Sequence, residues 1–472
     1  MIADLKPYAE YKESGLPWLG QVPGHWEVRR MKSAVMNVIE QTFEMSSDEV
    51  YVALEHVESW TGKARPQSDS SLFTGQVKRF RQGDVLFGKL RPYLAKVTRI
   101  SKDGVCAGEF FVLRPTDKAV SSAYLEHQLR AKHTIDVING STFGAKMPRA
   151  DWQFCGNVPF PLPPSAEQLA IVRFLDWANG RLERAIRAKR KVIALLGEQK
   201  QAIIHRAVTR GLDPSVSLKP SDIPWLGDIP QHWEVRRLKH SVSHIEQGWS
   251  PQCDAQPAGE NEWGVLKVGC VNKDFFSPHQ NKKLPATFPP NHSLEIRDGD
   301  ILVSRANTRE LLGLAALAEN PPAKRILCDK LFRFRTKSDC FNSKFLVLAL
   351  RAKPSRAQIE SSTNGASSSM QNIGQGVLKN LWVSMPAVAE QDRIVKHISV
   401  ATQPVSAAIS RLEREIELLR EYRIRLVADV VTGKLDVREA AARLPDEAAP
   451  DRVEDDTDVG DEAEAADEEA TV

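Results

Sequence analysis

The 472-residue chain is 42% hydrophobic and 26% charged, the balance of a globular protein with enough length for several cores. No apolar run has the length of a bilayer-spanning helix, the N-terminus carries no secretory pattern, and the six scattered cysteines form no CxxC pair. Membrane, secreted-disulfide and zinc-finger classes are therefore set aside, and a cytoplasmic location is expected. The net charge of +3 hides an asymmetry: residues 446–472 hold 13 acidic side chains and one basic one, leaving the preceding chain at +15, a balance that suits a polyanionic partner such as nucleic acid.

Residues 17–32, PWLGQVPGHWEVRRMK, return at 224–239 as PWLGDIPQHWEVRRLK, identical at 12 of 16 positions at an offset of 207. The chain is thus one structural unit used twice. Trp18, His25 and Trp26, with Trp225, His232 and Trp233, are read as packing anchors, because base readers should differ between copies. In the first copy, short apolar runs at Glu49–Leu54, Asp84–Phe87 and Phe110–Leu113 are bounded by turn residues and predict strands of a mixed α/β domain. The turn after 84–87 carries Lys89, Arg91 and Tyr93; arginine grips guanine or phosphate, and lysine mostly phosphate. A helical stretch is expected near 121–133. The loop 140–149 presents Ser141, Thr142 and Lys146 among glycines that permit close approach to a DNA backbone. After PLPPSAEQ at 161–168 a long helix begins. Its seam is Leu175, Leu182, Leu196 and Ile203 with Ile186 and Ile193; Asn179, Lys189 and Lys200 interrupt it, and Gly211 stops it. The run Arg181, Arg184, Arg187, Lys189, Arg190 and Lys191 reads as a solvated face.

The second copy repeats the order. Gly299-Asp300-Ile301-Leu302 answers Gly83-Asp84-Val85-Leu86, and strands are predicted at Val265–Val268, Asp300–Val303 and Leu331–Phe334. The next turn carries Arg305, Asn307, Thr308 and Arg309. A helical stretch is expected near 342–352. The loop 361–372, with Ser369, Gln371 and Asn372, is polar and almost uncharged; Gln and Asn are the types that read adenine through N6 and N7. MPAVAEQ at 385–391 opens the second long helix. Ile398, Val405, Leu412, Leu419 and Leu426 recur every seven residues, joined by Val395, Ile409, Ile416 and Val430. Pro404 is expected to kink or restart this helix, and Gly433 to end it. The simplest assembly pairs the two helices antiparallel, with the globular parts at opposite ends and a pseudo-two-fold relation. The acidic 446–472 is expected to be disordered, either as a solubility tail or as a weak competitor for the DNA surface.

Taken in order, these features resemble the specificity (S) subunit of Type I restriction-modification systems over nearly the whole chain apart from the acidic tail. The motifs that carry the resemblance are the duplicated PWLG and HWEVRR, GDVLFGKLRPYL at 83–94, the PLPPSAEQ and MPAVAEQ junctions, and VTGKLDV at 431–437. The resemblance implies an α+β fold: target recognition domains at 11–165 and 213–388, and conserved spacer helices at 166–212 and 389–437. It implies DNA binding by both domains, for which the loop composition offers Lys89, Arg91, Tyr93, Ser141, Thr142, Lys146, Arg305, Asn307, Thr308, Arg309, Ser369, Gln371 and Asn372. Partners would be double-stranded DNA, two methyltransferase (M) subunits and restriction/translocase (R) subunits. The chain would catalyse nothing and hold no cofactor or metal; S-adenosylmethionine, ATP and magnesium would belong to the partners. Asn320-Pro321-Pro322 is followed by Ala323, so the stacking aromatic of an adenine methyltransferase loop is missing, and Gly140 to Lys146 lacks the spacing of a P-loop. The alternative is a self-sufficient DNA methyltransferase or nuclease, or a fragment of one, and a weaker third reading is a coiled-coil scaffold without DNA.

Overall fold

The computed structural model describes residues 5–69, 73, 75–144, 147–272, 275–337, 340–362 and 371–445; Lys146, Ser369 and the acidic stretch 446–472 lie outside them. The helices, in order, are α1 (Ser122–Arg130), α2 (Lys132–Gly140), α3 (Trp152–Cys155), α4 (Ser165–Arg210), α5 (Ser343–Arg351), α6 (Lys353–Ser361), α7 (Gln375–Asn380), α8 (Val388–Val431) and α9 (Arg438–Ala442). No described helix is long and apolar enough to cross a membrane. Packing divides the chain into two compact units. Unit 1 runs to Lys191 and resumes at Leu412; unit 2 is Val192–Arg411. Each contains one globular copy, part of α4 and part of α8.

In unit 1 a four-stranded antiparallel sheet has the order Val35–Val38, Phe110–Pro115, Val85–Gly88, Val97–Arg99. All four residues of Val85–Gly88 are buried, as a central strand requires. A second sheet orders Gln41–Thr42, Val77–Phe80, Gly104–Cys106 and Val50–Val52, the last pair parallel. The repeated Gly-Asp explains the turn into the central strand. Gly83 takes φ +89°, and buried Asp84 accepts the Arg81 N–H at 2.8 Å and the Arg114 Nε–H at 2.7 Å. Unit 2 repeats the device. Gly299 has φ +84°, and Asp300 accepts from Arg297 N–H at 2.8 Å and Arg335 Nε at 2.7 Å. Its four-stranded sheet has the matching order Glu246–Gln247, Leu331–Phe334, Ile301–Ser304, Ala315–Leu317. The expected strand at Val265–Val268 is shorter, Gly264–Leu266, because Val268 already belongs to a 3-10 turn over Val268–Val271. The helical stretch expected at 342–352 is α5, whereas that at 121–133 is broken at Ala131, after which α2 begins; α6 likewise follows α5 across an extended Ala352.

The duplicated anchor closes each unit in the same way. Trp26 and Trp233 are fully buried. The indole N–H of Trp26 donates to Glu167 at 2.8 Å, and His25 Nε2 lies 2.6 Å from the same carboxylate. In unit 2, Trp233 donates to Glu390 at 3.1 Å and His232 Nε2 lies 2.9 Å from it. The neighbouring glutamines are equally matched. Gln168 accepts from Ser121 N–H and donates to the Ala119 and Pro163 carbonyls; Gln391 accepts from Asn342 N–H and donates to those of Cys340 and Pro386. Thus the EQ pair fastens the start of each long helix to the opening motif and to the loop before α1 or α5. Trp18 and Trp225 are not alike: the first stacks on His133 at 5.5 Å, while the second is 45% exposed.

The long helices pack within each unit. In unit 1, Glu183 meets Arg423 at 3.2 Å and Lys189 meets Glu415; the sequence numbers run in opposite senses, so these stretches are antiparallel. Leu182, Ile186, Ile416, Leu426 and Val430 are buried alongside. Of the polar seam residues, Lys189 is matched by Glu415, whereas the Asn179 side-chain oxygen is buried without a hydrogen-bond partner among the described residues. Arg423, where the apolar series skips a turn, is only 9% exposed and shares Glu183 with Lys63, 2.9 Å away on a loop of the globular part. That carboxyl sits below its usual range: burial opposes the shift, but Lys63 and Arg423 outweigh it. In unit 2, Ile204, Ala207, Val208, Ile394 and Ile398 share one core. Ile394 and Ile204 are buried there, whereas the adjacent Val395 and Ile203 are half-buried. Helix α8 continues through Pro404 rather than restarting; this residue is exposed, so the carbonyl deprived of a partner faces water. Both expected stops hold: Gly211 and Gly433 adopt φ +73° and +77° just beyond their helices, the left-handed cap glycine provides.

Candidate nucleic-acid interface

In each unit the loop after the central strand is tied by backbone bonds to the loop after the second short helix. In unit 1 the Lys89 N–H donates to the Glu109 carbonyl and the Ala150 N–H donates to the Lys89 carbonyl, both at 2.8 Å. The Arg91 N–H reaches the Pro148 carbonyl at 2.8 Å, and Leu90 forms a bridge with Arg149. In unit 2 the Arg305 N–H donates to the Lys330 carbonyl at 2.8 Å and its carbonyl accepts from Ile373 at 3.0 Å. Ala306–Asn307 then pairs with Gln371–Asn372 as a small antiparallel ribbon. Loops that are 50 or more residues apart in sequence therefore form one edge in each unit.

The side chains on the two edges differ. On unit 1, Lys89 and Arg91 are half-buried at the stem, Tyr93 is 40% exposed, and Arg149 pairs with Glu109 at 3.1 Å. Neither Lys89 nor Arg91 has an ion-pair partner among the described residues. Burial, with Lys89 nearby, lowers the pKa of Lys78, whose ammonium donates to the Phe110 carbonyl at 2.7 Å. Arg91 holds a left-handed backbone at φ +49°, a strained conformation for a non-glycine residue, fixed between the Pro148 bond and Pro92. The Ser141 and Thr142 hydroxyls donate to the Ile138 and Asn139 carbonyls at 2.7 and 2.8 Å, capping α2. Beside them Phe143 is 80% exposed.

On unit 2, Arg305 reaches the Asp329 carbonyl at 3.3 Å, and Thr308 and Arg309 are exposed, the latter 3.7 Å from Glu360. The Asn307 amide donates to Asn272 Oδ1 at 3.2 Å and accepts the Thr308 N–H at 2.9 Å. Gln371 lies directly across the ribbon from Asn307; Asn372, opposite Ala306, points to the other face and is exposed. Arg149 and Asn272 are the residues on these edges that the sequence does not single out. Arg149 closes a loop already marked there; Asn272 is 35 residues from Asn307 and carries no local signal.

No protein-family model matches the chain. It is 24% identical over 496 residues to the EcoEI Type I restriction enzyme specificity subunit of Escherichia coli, covering 86% of this chain and 82% of that protein. It is also 24% identical over 348 residues to the MjaVIII specificity subunit of Methanocaldococcus jannaschii, covering 72% and 76%. This chain is a homologue of the Type I restriction enzyme specificity subunits. The homologue's fold agrees: a chain from a solved structure on assembly and conformational transition of the type I R-M system superposes with TM-score 0.60 at 19% identity, covering 88% of this chain and 99% of that one. Among the described residues no cluster of His, Cys, Asp or Glu could hold a metal, and Cys106, pushed up to about 12 by burial, is held as the neutral thiol.

Proposed function

We propose that the chain is the DNA-specificity subunit of a Type I restriction-modification complex. Residues 11–165 and 213–388 each read one half of a bipartite duplex, and the helices at 166–212 and 389–437 pair as an antiparallel coiled coil that sets the gap and docks methyltransferase subunits. One observation carries this reading: two units with matching sheets, anchors and loop clamps present chemically different edges. Lys89, Arg91 and Tyr93 stand on one, and Arg305, Asn307, Thr308, Arg309, Gln371 and Asn372 on the other. A duplicated reader with unlike edges predicts an asymmetric, split target. Ser141 and Thr142 serve through the loop they shape, and Lys146 and Ser369 belong to the same loops in sequence. The chain itself supplies no catalysis. S-adenosylmethionine, ATP and magnesium act in the methyltransferase and restriction subunits.

The test pairs the purified chain with its methyltransferase subunits. The complex is expected to bind one bipartite duplex above all others and to methylate it; the chain alone should neither methylate nor cut. Methylation or specific cleavage by the lone chain would instead identify a self-sufficient enzyme.

A further inference from the structure

The Asn307 side chain offers two N–H groups and two carbonyl lone pairs. Inside the protein it uses one of each: an N–H to Asn272 Oδ1 at 3.2 Å and a lone pair to the Thr308 N–H at 2.9 Å. One N–H and one lone pair remain. Adenine presents the complement in the major groove, N7 as acceptor and N6–H as donor. Guanine presents two acceptors there, so the Asn307 carbonyl would face an oxygen; thymine offers an acceptor and a methyl group, and cytosine a donor alone. The opposite residue, Gln371, shares this face of the ribbon, and its side-chain oxygen has no hydrogen-bond partner among the described residues. The matching edge of unit 1 carries Lys89, Arg91 and Arg149, donors only, which suit guanine or phosphate.

We propose that Asn307 reads an adenine in the half-site of unit 2, and that Asn272, outside both recognition loops, is the positioning residue that holds its amide in place. This rests on the proposed function and adds the base and the residues to it.

The experiment uses the full chain assembled with its methyltransferase subunits, and competition among duplexes that differ from the preferred one by single base pairs. In Asn307→Ala, discrimination at one A·T pair of one half-site falls by about 5- to 150-fold, the range of one lost bidentate contact. The other half-site keeps its preference and reports, within the same molecule, that the protein is folded. Asn272→Asp retains an acceptor for the Asn307 amide and keeps the discrimination; Asn272→Ala loses it at that same pair. The proposal is overturned if Asn307→Ala changes no position, relaxes a G·C pair, or weakens all duplexes equally with a shallower salt dependence, the mark of a phosphate contact. It is overturned equally if Asn272→Asp behaves as the alanine variant does. Should the wild-type complex show no base preference at all, the proposed function fails with it; a selective wild type with a silent Asn307→Ala defeats this inference alone.

Discussion

The glycines that end the two long helices occupy equivalent positions but unequal spaces, and alanine at each makes the difference measurable. A Cβ on Gly433 would fall 2.3 Å from Pro23 Cδ, 2.5 Å from Pro23 Cγ and 3.1 Å from Trp26. On Gly211 the nearest atoms would be Trp233 at 3.3 Å and Glu390 at 3.4 Å. Left-handed backbone costs alanine about 1–2 kcal/mol at either position. At Gly211 a shift of a few tenths of an ångström removes the crowding, so the total stays near that range. At Gly433 the obstacle is a proline ring with φ fixed by its own closure, so the backbone must move; overpacking of this kind adds about 1–3 kcal/mol. Gly433→Ala should therefore cost about 2–5 kcal/mol and Gly211→Ala about 1–2 kcal/mol. Whole-chain unfolding of a two-unit protein yields no single free energy, so native-state hydrogen exchange is the assay. Gly433→Ala is expected to speed exchange by roughly 30-fold or more in peptides covering 20–31 and 426–437, and Gly211→Ala by about 5- to 30-fold in 204–211 and 224–238. Equal effects at the two positions would refute the reasoning, as would a Gly433→Ala effect spread evenly over both units.

Three further outcomes follow from the same contacts. Glu167→Ala removes the acceptor shared by Trp26, His25, Tyr8 and Arg438, leaving buried donors unpaired, and should destabilise unit 1 by about 2–4 kcal/mol in local hydrogen exchange. Glu390→Ala, with two such partners, should cost less. Lys89→Ala and Arg91→Ala should each flatten the plot of log affinity against log salt by about 1 if the side chain meets a phosphate, measured by filter binding of the assembled complex. His133, stacked on Trp18 and half-buried, has its pKa lowered from 6.5 to about 4 by desolvation, with Lys434 acting in the same direction. Between those values the unfolded chain takes a proton that the folded one refuses. Stability is full above about pH 6.5 and falls toward pH 4, by at most about 3 kcal/mol for this group, and His133→Phe should flatten that part of the profile.

Much of the scaffold is legible in the sequence because its causes are local. Gly-Asp before an apolar run specifies both the turn and the carboxylate that braces it, and both copies obey. Trp26 and Trp233 could be read as anchors because readers must differ while anchors need not. What they anchor to was not legible: Glu167 and Glu390 lie more than 140 residues away in sequence, and only folding brings the His-Trp pair to the glutamate. The seam shows the same limit. An apolar heptad reading passes over Arg423, since charge argues for exposure; burial becomes affordable only once Glu183 and Lys63 converge on it from two other segments. The helix break at Ala131 was invisible for a different reason: alanine is a strong helix former, and the extended backbone there is imposed by packing rather than by propensity.

The recognition edges were half legible, and the missing half is what matters for specificity. Loop composition identified Lys89 and Arg91, and Arg305 and Asn307, as candidates, but it could not say which groups the fold itself consumes. Ser141 and Thr142 are rich in donors on paper, yet their hydroxyls are committed to the end of α2. Asn307 is likewise partly committed, to Asn272 and Thr308, and this commitment makes it selective: an amide with every donor and acceptor free can turn to suit any base, whereas one held at two atoms offers a fixed donor and acceptor in a fixed order. A specificity residue is thus recognised by what remains after internal bonding, a difference that only the folded arrangement supplies. By the same logic, changing the target of unit 2 while keeping its fold calls for substitutions at Asn307 and Asn272 together. A change at Asn307 alone leaves Asn272 aimed at a partner that is no longer there.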